Sequence, residues 1–328
     1  MRSTKVFPRA QVGLACLALV LGGLILPHAK AAAHVVADNT VFLPLAVVAD
    51  PLEGKIVYLV RHVAESAYYQ IGMTDLGQRQ ASQLTHEEIH HDTPALSPDG
   101  SMIAFAAPPE DGAFYDLYVM SSSGEGLTRL TDNPGYDGMP AWSPDGRRLA
   151  YVSWRDGAGA LYIMDADGRN ERKVTDLGNS GGNPAWSPDG ERLAFDDNSD
   201  GNAEIYTIKT DGTDRIRLTD NPYNDVSPAW SPDGSRIAFV SERVEYSLYS
   251  TIYTMAADGA DQTPITPADG VYRSYPTWSP DGQWLAFEAY DGSANTVTIF
   301  VMEPDGSGMR EIVGGGSDVY YSDPSWAL

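Results

Sequence analysis

The chain has 328 residues, 42% of them hydrophobic, with 22 Lys and Arg against 45 Asp and Glu, a formal net charge of −23. An acidic balance of that size excludes nucleic acid and anionic lipid surfaces as partners, because like charges repel. One cysteine, Cys16, excludes an intrachain disulfide framework, so stability must come from a packed core.

The first element is a targeting segment. Arg2, Lys5 and Arg9 precede an apolar run from Val12 to Leu26, and small residues follow at Ala29 and Ala31–Ala33. This order predicts a secretory signal peptide over residues 1–33, cleaved on export. The alternative is a retained anchor, for which the run is short against the ~20 residues a span needs. Cleavage removes Arg2, Lys5, Arg9 and Lys30 and no acid, leaving 18 basic against 45 acidic residues, a net −27. The expected location is secreted, or the periplasm and cell envelope. Residues 34–53 read as a mostly apolar lead-in.

From residue 54 the chain repeats. GKIVYLV and the stretch from Tyr68 to His86 read as three alternating strands without a preceding partner strand. Then one heptapeptide recurs: PALSPDG at Pro94, PAWSPDG at Pro140, Pro184 and Pro228, PTWSPDG at Pro276. The steps are 46, 44, 44 and 48 residues, and a truncated copy, Pro324-Ser325-Trp326, follows 48 residues on. Within a unit, an apolar stretch runs into SPDG, with proline and glycine where a type I turn prefers them. Three alternating stretches follow, such as ERLAFDD, EIYTIKT and RIRLT, separated by turn residues. Four strands per forty-odd residues predict an all-β, six-bladed β-propeller with four-stranded blades over residues 54–328. The two incomplete ends complement each other, so PSWAL should pair with the strand at Lys55–Val60 and close the ring. The repeated tryptophan should fill the wedge between neighbouring blades; Leu96 replaces it in the first copy.

Loops after the second and fourth strands of a blade share one face of the disk. That face carries Tyr275, Tyr321 and Asp318 together with Tyr136, Asp137, Trp154, Tyr223, Asp225, Tyr272 and Tyr320, the last seven being the expected ligand-binding residues, since aromatic platforms with carboxylates suit peptides, sugars or cationic groups. The other reading is that these tyrosines pack between blades. Asp196, Asn198, Asp200 and Glu204, with Gly201, have the spacing of a calcium loop, but position twelve is Thr207, and an ordinary hairpin turn accounts for half the match. Ca2+ is therefore the one cofactor considered. His62, His86, His90 and His91 lie near Glu87, Glu88 and Asp92, which suits a metal or a solvated loop. Gly178–Gly182 satisfies G-x-S-x-G, yet a nucleophile elbow needs a helix after it, and here an inner strand follows.

The repeated P-x-W-S-P-D-G, the following L/I-A-F, the I/L-Y-x-M and the L-T resemble the TolB-like, WD-type β-propeller family from about Gly54 to Leu328. The resemblance implies the fold and, less specifically, function: such repeats occur in binding proteins, in peptidase regulatory domains and in polysaccharide lyases. The expectation is a secreted, monomeric, non-catalytic propeller engaging a protein, peptide or glycan through its loop face, without membrane insertion after cleavage. The alternative is a lyase-like, carbohydrate-active enzyme with a His/carboxylate metal site; a cluster of that kind in the central channel would favour it.

Overall fold

The computed structural model describes residues 41–42, 52–63, 67–110, 114–178, 180–243, 249–314 and 316–328. Residues 1–33, the expected signal segment, lie outside them, as does most of the lead-in. Six antiparallel sheets form six blades. Blade 1 holds Val319–Ala327, Lys55–His62, Gln70–Asp75 and Gln80–Gln83, with Val41–Phe42 added outside its last strand. Blade 2 holds Asp92–Leu96, Met102–Ala107, Asp116–Ser121 and Thr128–Arg129. Blade 3 runs from Asp137 to Asp176, blade 4 from Gly181 to Arg217, blade 5 from Asp225 to Pro264 and blade 6 from Tyr272 to Val313. Among the described residues there is no α-helix, only a 3₁₀ turn at Gly316–Asp318.

The closure is as the two incomplete ends implied. Lys55 pairs with Ala327, Ile56 with Trp326 and Val57 with Ser325. A single sheet thus ties both ends of the repeat array, and no blade is left with a free inner edge.

Each part of the repeated heptapeptide has a physical task. In SPDG the serine hydroxyl donates to the aspartate (2.5 Å for Ser187 to Asp189) and accepts the N–H of the residue five places on (2.9 Å from Arg192). The aspartate accepts a second N–H, from Glu191, at 3.0 Å. Ser143, Ser231 and Ser279 repeat these contacts. Ser187→Ala should cost about 1–2 kcal/mol in urea unfolding, because the Arg192 N–H loses its acceptor; a midpoint equal to the unaltered chain's would refute this role.

The tryptophans lie between blades. Trp142, Trp186 and Trp278 donate their indole N–H to Ala95, Ala141 and Ala229 of the preceding blade. Leu96 is buried at the same position, but its side chain has no donor to replace the indole. The recurrent threonine after the fourth strand also has a role: the hydroxyls of Thr85, Thr131, Thr219 and Thr266 accept the N–H of Ile71, Leu117, Ile205 and Ile252 on the third strand. A strand end that would otherwise leave a buried donor unpaired is satisfied.

Candidate binding site

The antiparallel order puts the SPDG turns on one face of the disk and the loops after the second and fourth strands on the other. The expected ligand residues do lie at that loop face, but most are engaged internally. Asp137 and Asp225 are completely buried. Asp137 pairs with Arg155 at 3.7 Å and accepts from Asn133; Asp225 pairs with Arg243 and accepts from Asn221. Burial removes both from a ligand's reach. Tyr136 donates its hydroxyl to Asp92 at 3.0 Å and meets Trp154 edge-on at 5.3 Å. Tyr272 packs between Tyr249 and Tyr290. Tyr320 stacks on the Arg61 guanidinium and accepts from Asn295. Of the seven, Tyr223 is the most open, at 38% exposure.

The calcium-loop residues do not converge. Asp196 is buried, and both its oxygens are taken: Oδ1 accepts from Asn183 (2.8 Å) and from the Ser227 N–H of the next blade (3.0 Å), and Oδ2 from Gly182 N–H (3.1 Å). Asn198 exchanges hydrogen bonds with Ser180. Asp200 accepts from the Tyr206 hydroxyl, and Glu204, fully buried, takes Arg217 and the Asn221 N–H. Asp196 is thus a bracket between two inner strands. The histidines also part company. His91 is buried against the Phe105 ring, and burial lowers its pKa; His90 accepts the Tyr69 N–H; His86 meets Gln83. Among the described residues no three His, Cys, Asp or Glu are grouped as a metal would require. Gly181 and Gly182 open an inner strand rather than a nucleophile turn. A Cβ on Gly182 would stand 2.3 Å from the Val152 side chain, so the glycine there serves close blade packing.

The central channel is a cavity of about 520 Å³ walled by the six inner strands and reaching the SPDG turns. Every inner strand breaks register at the same place, between Asp92 and Ala95 in blade 2, Gly182 and Ala185 in blade 4, Ser274 and Thr277 in blade 6. The residue before each repeat proline takes a left-handed φ: Thr93 47°, Met139 55°, Asn183 38°, Ser227 53°, Tyr275 52° and Asp323 50°. A non-glycine residue rarely adopts this, and a following proline ordinarily drives its neighbour to extended backbone. The proline brings no N–H to an interrupted ladder, which suits a bulge. The freed N–H groups find side chains: Met139 donates to Thr93, Ser227 to Asp196, Asp323 to Glu288.

All six kinked residues line the channel. Proline, serine and aspartate recur in the frame around them, while the kinked position differs in every blade. The sequence suggested Tyr275 as a loop-face aromatic, whereas it lines the channel, and the other five were passed over; a variable residue in a fixed frame was the available signal. Among the described residues lining the cavity, Asp323 is the only carboxylic acid side chain. Burial, then the charges of Glu288 and Asp92, raise its pKa well above the carboxylate range. Burial also pushes Glu288 up to about 7. The Tyr275 hydroxyl is held protonated by Asp323 first, then burial, then Glu288, Asp92 and Asp196.

The family model of the TolB beta propeller domain matches residues 53–182 and 172–327. The chain belongs to the TolB beta-propeller domain family. Among solved structures this TolB-family propeller is similar to TolB from Acinetobacter baumannii, with TM-score 0.72 and 23% identity over 84% of this chain and 66% of that one. It is also similar to a TolB-type protein of Agrobacterium tumefaciens, with TM-score 0.63 and 21% identity over 84% and 99% of the two chains. An oligogalacturonate lyase in complex with manganese shares the fold at TM-score 0.53 and 18% identity, over 80% of this chain and 74% of that one. Identities at this level speak for fold alone. No curated protein matches the sequence. The chain spans 66% of the Acinetobacter TolB. Among the described residues no helix is long and apolar enough to cross a membrane.

Proposed function

We propose that this TolB-family propeller is a non-catalytic binding protein of the cell envelope or extracellular space that receives a segment of a partner protein in its central channel. The observation that carries this reading is the ring of six kinked residues. Six strained backbone positions cluster on one cavity wall, and such strain persists at sites where side-chain placement matters. The frame holds each residue rigidly while leaving its identity free, the arrangement a recognition surface requires. The wall is built of proline, alanine and tryptophan with Thr93, Asn183, Ser227 and Tyr275 as polar contacts, which suits a peptide more than a reaction centre. The loop-face tyrosines frame the other side of the disk, with Tyr223 and Tyr249 open enough to contact a bound protein.

The test is a peptide-display selection against the intact chain, followed by calorimetry of the selected peptide. Tyr275→Ala and Met139→Ala should each weaken binding by about 1–2 kcal/mol, as anchors of a well-packed contact do. Alanine at Tyr136, Tyr223, Tyr272 and Tyr320 should change it less. If the channel variants bind as the parent and the loop variants do not, recognition belongs to the loop face; a selection that yields no peptide ligand removes the peptide reading. Export is part of the proposal: the mature chain should begin near His34, by N-terminal sequencing.

A further inference from the structure

Five blades carry a pair of aromatic rings facing each other across the second and third strands: Phe105–Tyr118, Tyr151–Tyr162, Phe195–Tyr206, Phe239–Tyr253 and Phe287–Phe300. In three of them an arginine of this chain lies over the pair. Arg155 is 4.2 Å from the Tyr162 ring centre, Arg215 is 4.4 Å from Tyr206 and Arg243 is 5.3 Å from Tyr253. Each arginine also meets carboxylates: Arg155 meets Asp137 and Glu171, Arg215 meets Asp197, Arg243 meets Asp225. The three therefore share one device, a guanidinium held between an aromatic pair and an acid.

Among the described residues, blade 6 has the pair without an arginine over it. Asp291 stands four residues after Phe287, where Arg155 and Arg243 follow Tyr151 and Phe239 by the same four. Met309 stands nine after Phe300, where Arg215 follows Tyr206 by nine. Arg310, next in sequence, turns away and lies over Trp284 at 4.2 Å. The space is a cavity of about 440 Å³ whose wall includes Phe287, Phe300, Met309, Asp291 and Glu311. The one cation in its lining, Arg273, is neutralised by a two-point pair with Asp269 at 2.8 Å. Asp291 and Glu311 leave the cavity net negative, and among the described residues no basic side chain pairs with Glu311.

We propose that this cavity is a binding site for a guanidinium group supplied from outside the chain, taken up over the Phe287–Phe300 pair and against Glu311. It stands apart from the channel and from the peptide reading. A planar, weakly hydrated cation suits this site better than an ammonium, because it can lie flat on a ring and still donate in plane to a carboxylate.

The experiment uses the full chain with agmatine, with the tripeptide acetyl-Gly-Arg-Gly-amide, and with butylamine, followed by NMR of the Phe and Met side chains. Agmatine should bind with a Kd on the order of 1 mM, the range expected of a single small cation. Butylamine should bind at least about 5-fold more weakly, since it lacks the planar fork. Met309→Arg should place the chain's own guanidinium in the cavity, raise the melting temperature and abolish agmatine binding. Glu311→Gln, an isosteric change at an exposed position, should weaken binding about 5-fold or more, as loss of an ion pair on a guanidinium does. Tighter binding of the tripeptide assigns the site to an arginine of a partner protein; equal or weaker binding assigns it to a free guanidinium compound. No binding of either, or binding unaltered in both variants, overturns the proposal.

Discussion

Deleting Ser325–Leu328 is expected to lower the melting temperature by about 10 °C or more, measured by scanning calorimetry on the otherwise complete chain. The segment supplies Trp326, only 7% exposed, whose indole donates to Glu53 at 2.9 Å. Ser325 accepts the Leu96 N–H of blade 2 at 3.1 Å. The ladder from Lys55–Ala327 to Val57–Ser325 goes with it. Loss of a buried tryptophan alone costs about 3–5 kcal/mol, and each kcal/mol moves the midpoint of a domain this size by about 2–4 °C. The truncation also leaves Lys55–Val57 as an unpaired inner edge, while Leu59–His62 keep their partners in Val319–Ser322, so aggregation should accompany unfolding. A midpoint within about 2 °C of the parent's, inside the shift one kcal/mol gives, would show that the ring does not depend on its closing strand.

The second large effect is with pH. Burial raises Glu288 to about 7 in the folded chain against an ordinary 4.5. Between these values the folded state keeps a proton that the unfolded state has lost. Stability therefore falls as pH rises through that window and levels off above about 7. The Glu288 contribution is on the order of 3 kcal/mol at most, at 1.36 kcal/mol per pKa unit. Asp323, Asp92 and Asp196 are also raised, burial being the first cause in each, so they tilt the curve the same way. The SPDG aspartates act oppositely but elsewhere: serine hydroxyls hold Asp99, Asp145, Asp189 and Asp233 below the usual value, so what they contribute is lost only as pH drops below about 4. The chain should thus be more stable at pH 5 than at pH 7.5, the reverse of a protein held by exposed ion pairs. Glu288→Gln should flatten the slope and stabilise the pH 7.5 form. A flat urea-midpoint profile from pH 5 to 7.5 in the parent would contradict the buried carboxylates.

Most of the ring was legible because its signals are local. SPDG closes its own hydrogen bonds within a few residues, so the motif announces its turn without reference to the rest of the chain. The ring closure was legible for another reason: two partial units summed to one. The site was harder. Asp137 and Asp225 looked like loop carboxylates because their partners, Arg155 and Arg243, arrive 18 residues later, from a different loop. The spacing from Asp196 to Glu204 imitated a calcium loop, yet Asp196 and Asp197 end one strand and Glu204 begins the next, and a bracket across blades consumes Asp196. The left-handed kinks were opaque because residues such as Thr93 and Tyr275 before proline argue for extended backbone. Only assembly of the ring makes the kink pay.

The equal frames around Thr93, Met139, Asn183, Ser227, Tyr275 and Asp323 have an evolutionary consequence. In most binding sites a change of residue disturbs the scaffold that positions its neighbours, so specificity and foldability must be altered together. Here each variable residue sits in its own copy of the same support, some 44 to 48 residues from the next in sequence and adjacent to it around the channel. Most of a slot's support comes from its own blade, the cross-links being the Thr93 hydroxyl that takes the Met139 N–H, the Asp196 carboxylate shared by Asn183 and Ser227, and the charge of Asp323 beside Tyr275. Duplication of a blade copies the support along with the slot. The propeller thus separates the vocabulary of recognition from the grammar of folding. A lineage using this ring could change partners by a handful of substitutions while its core stays as it is.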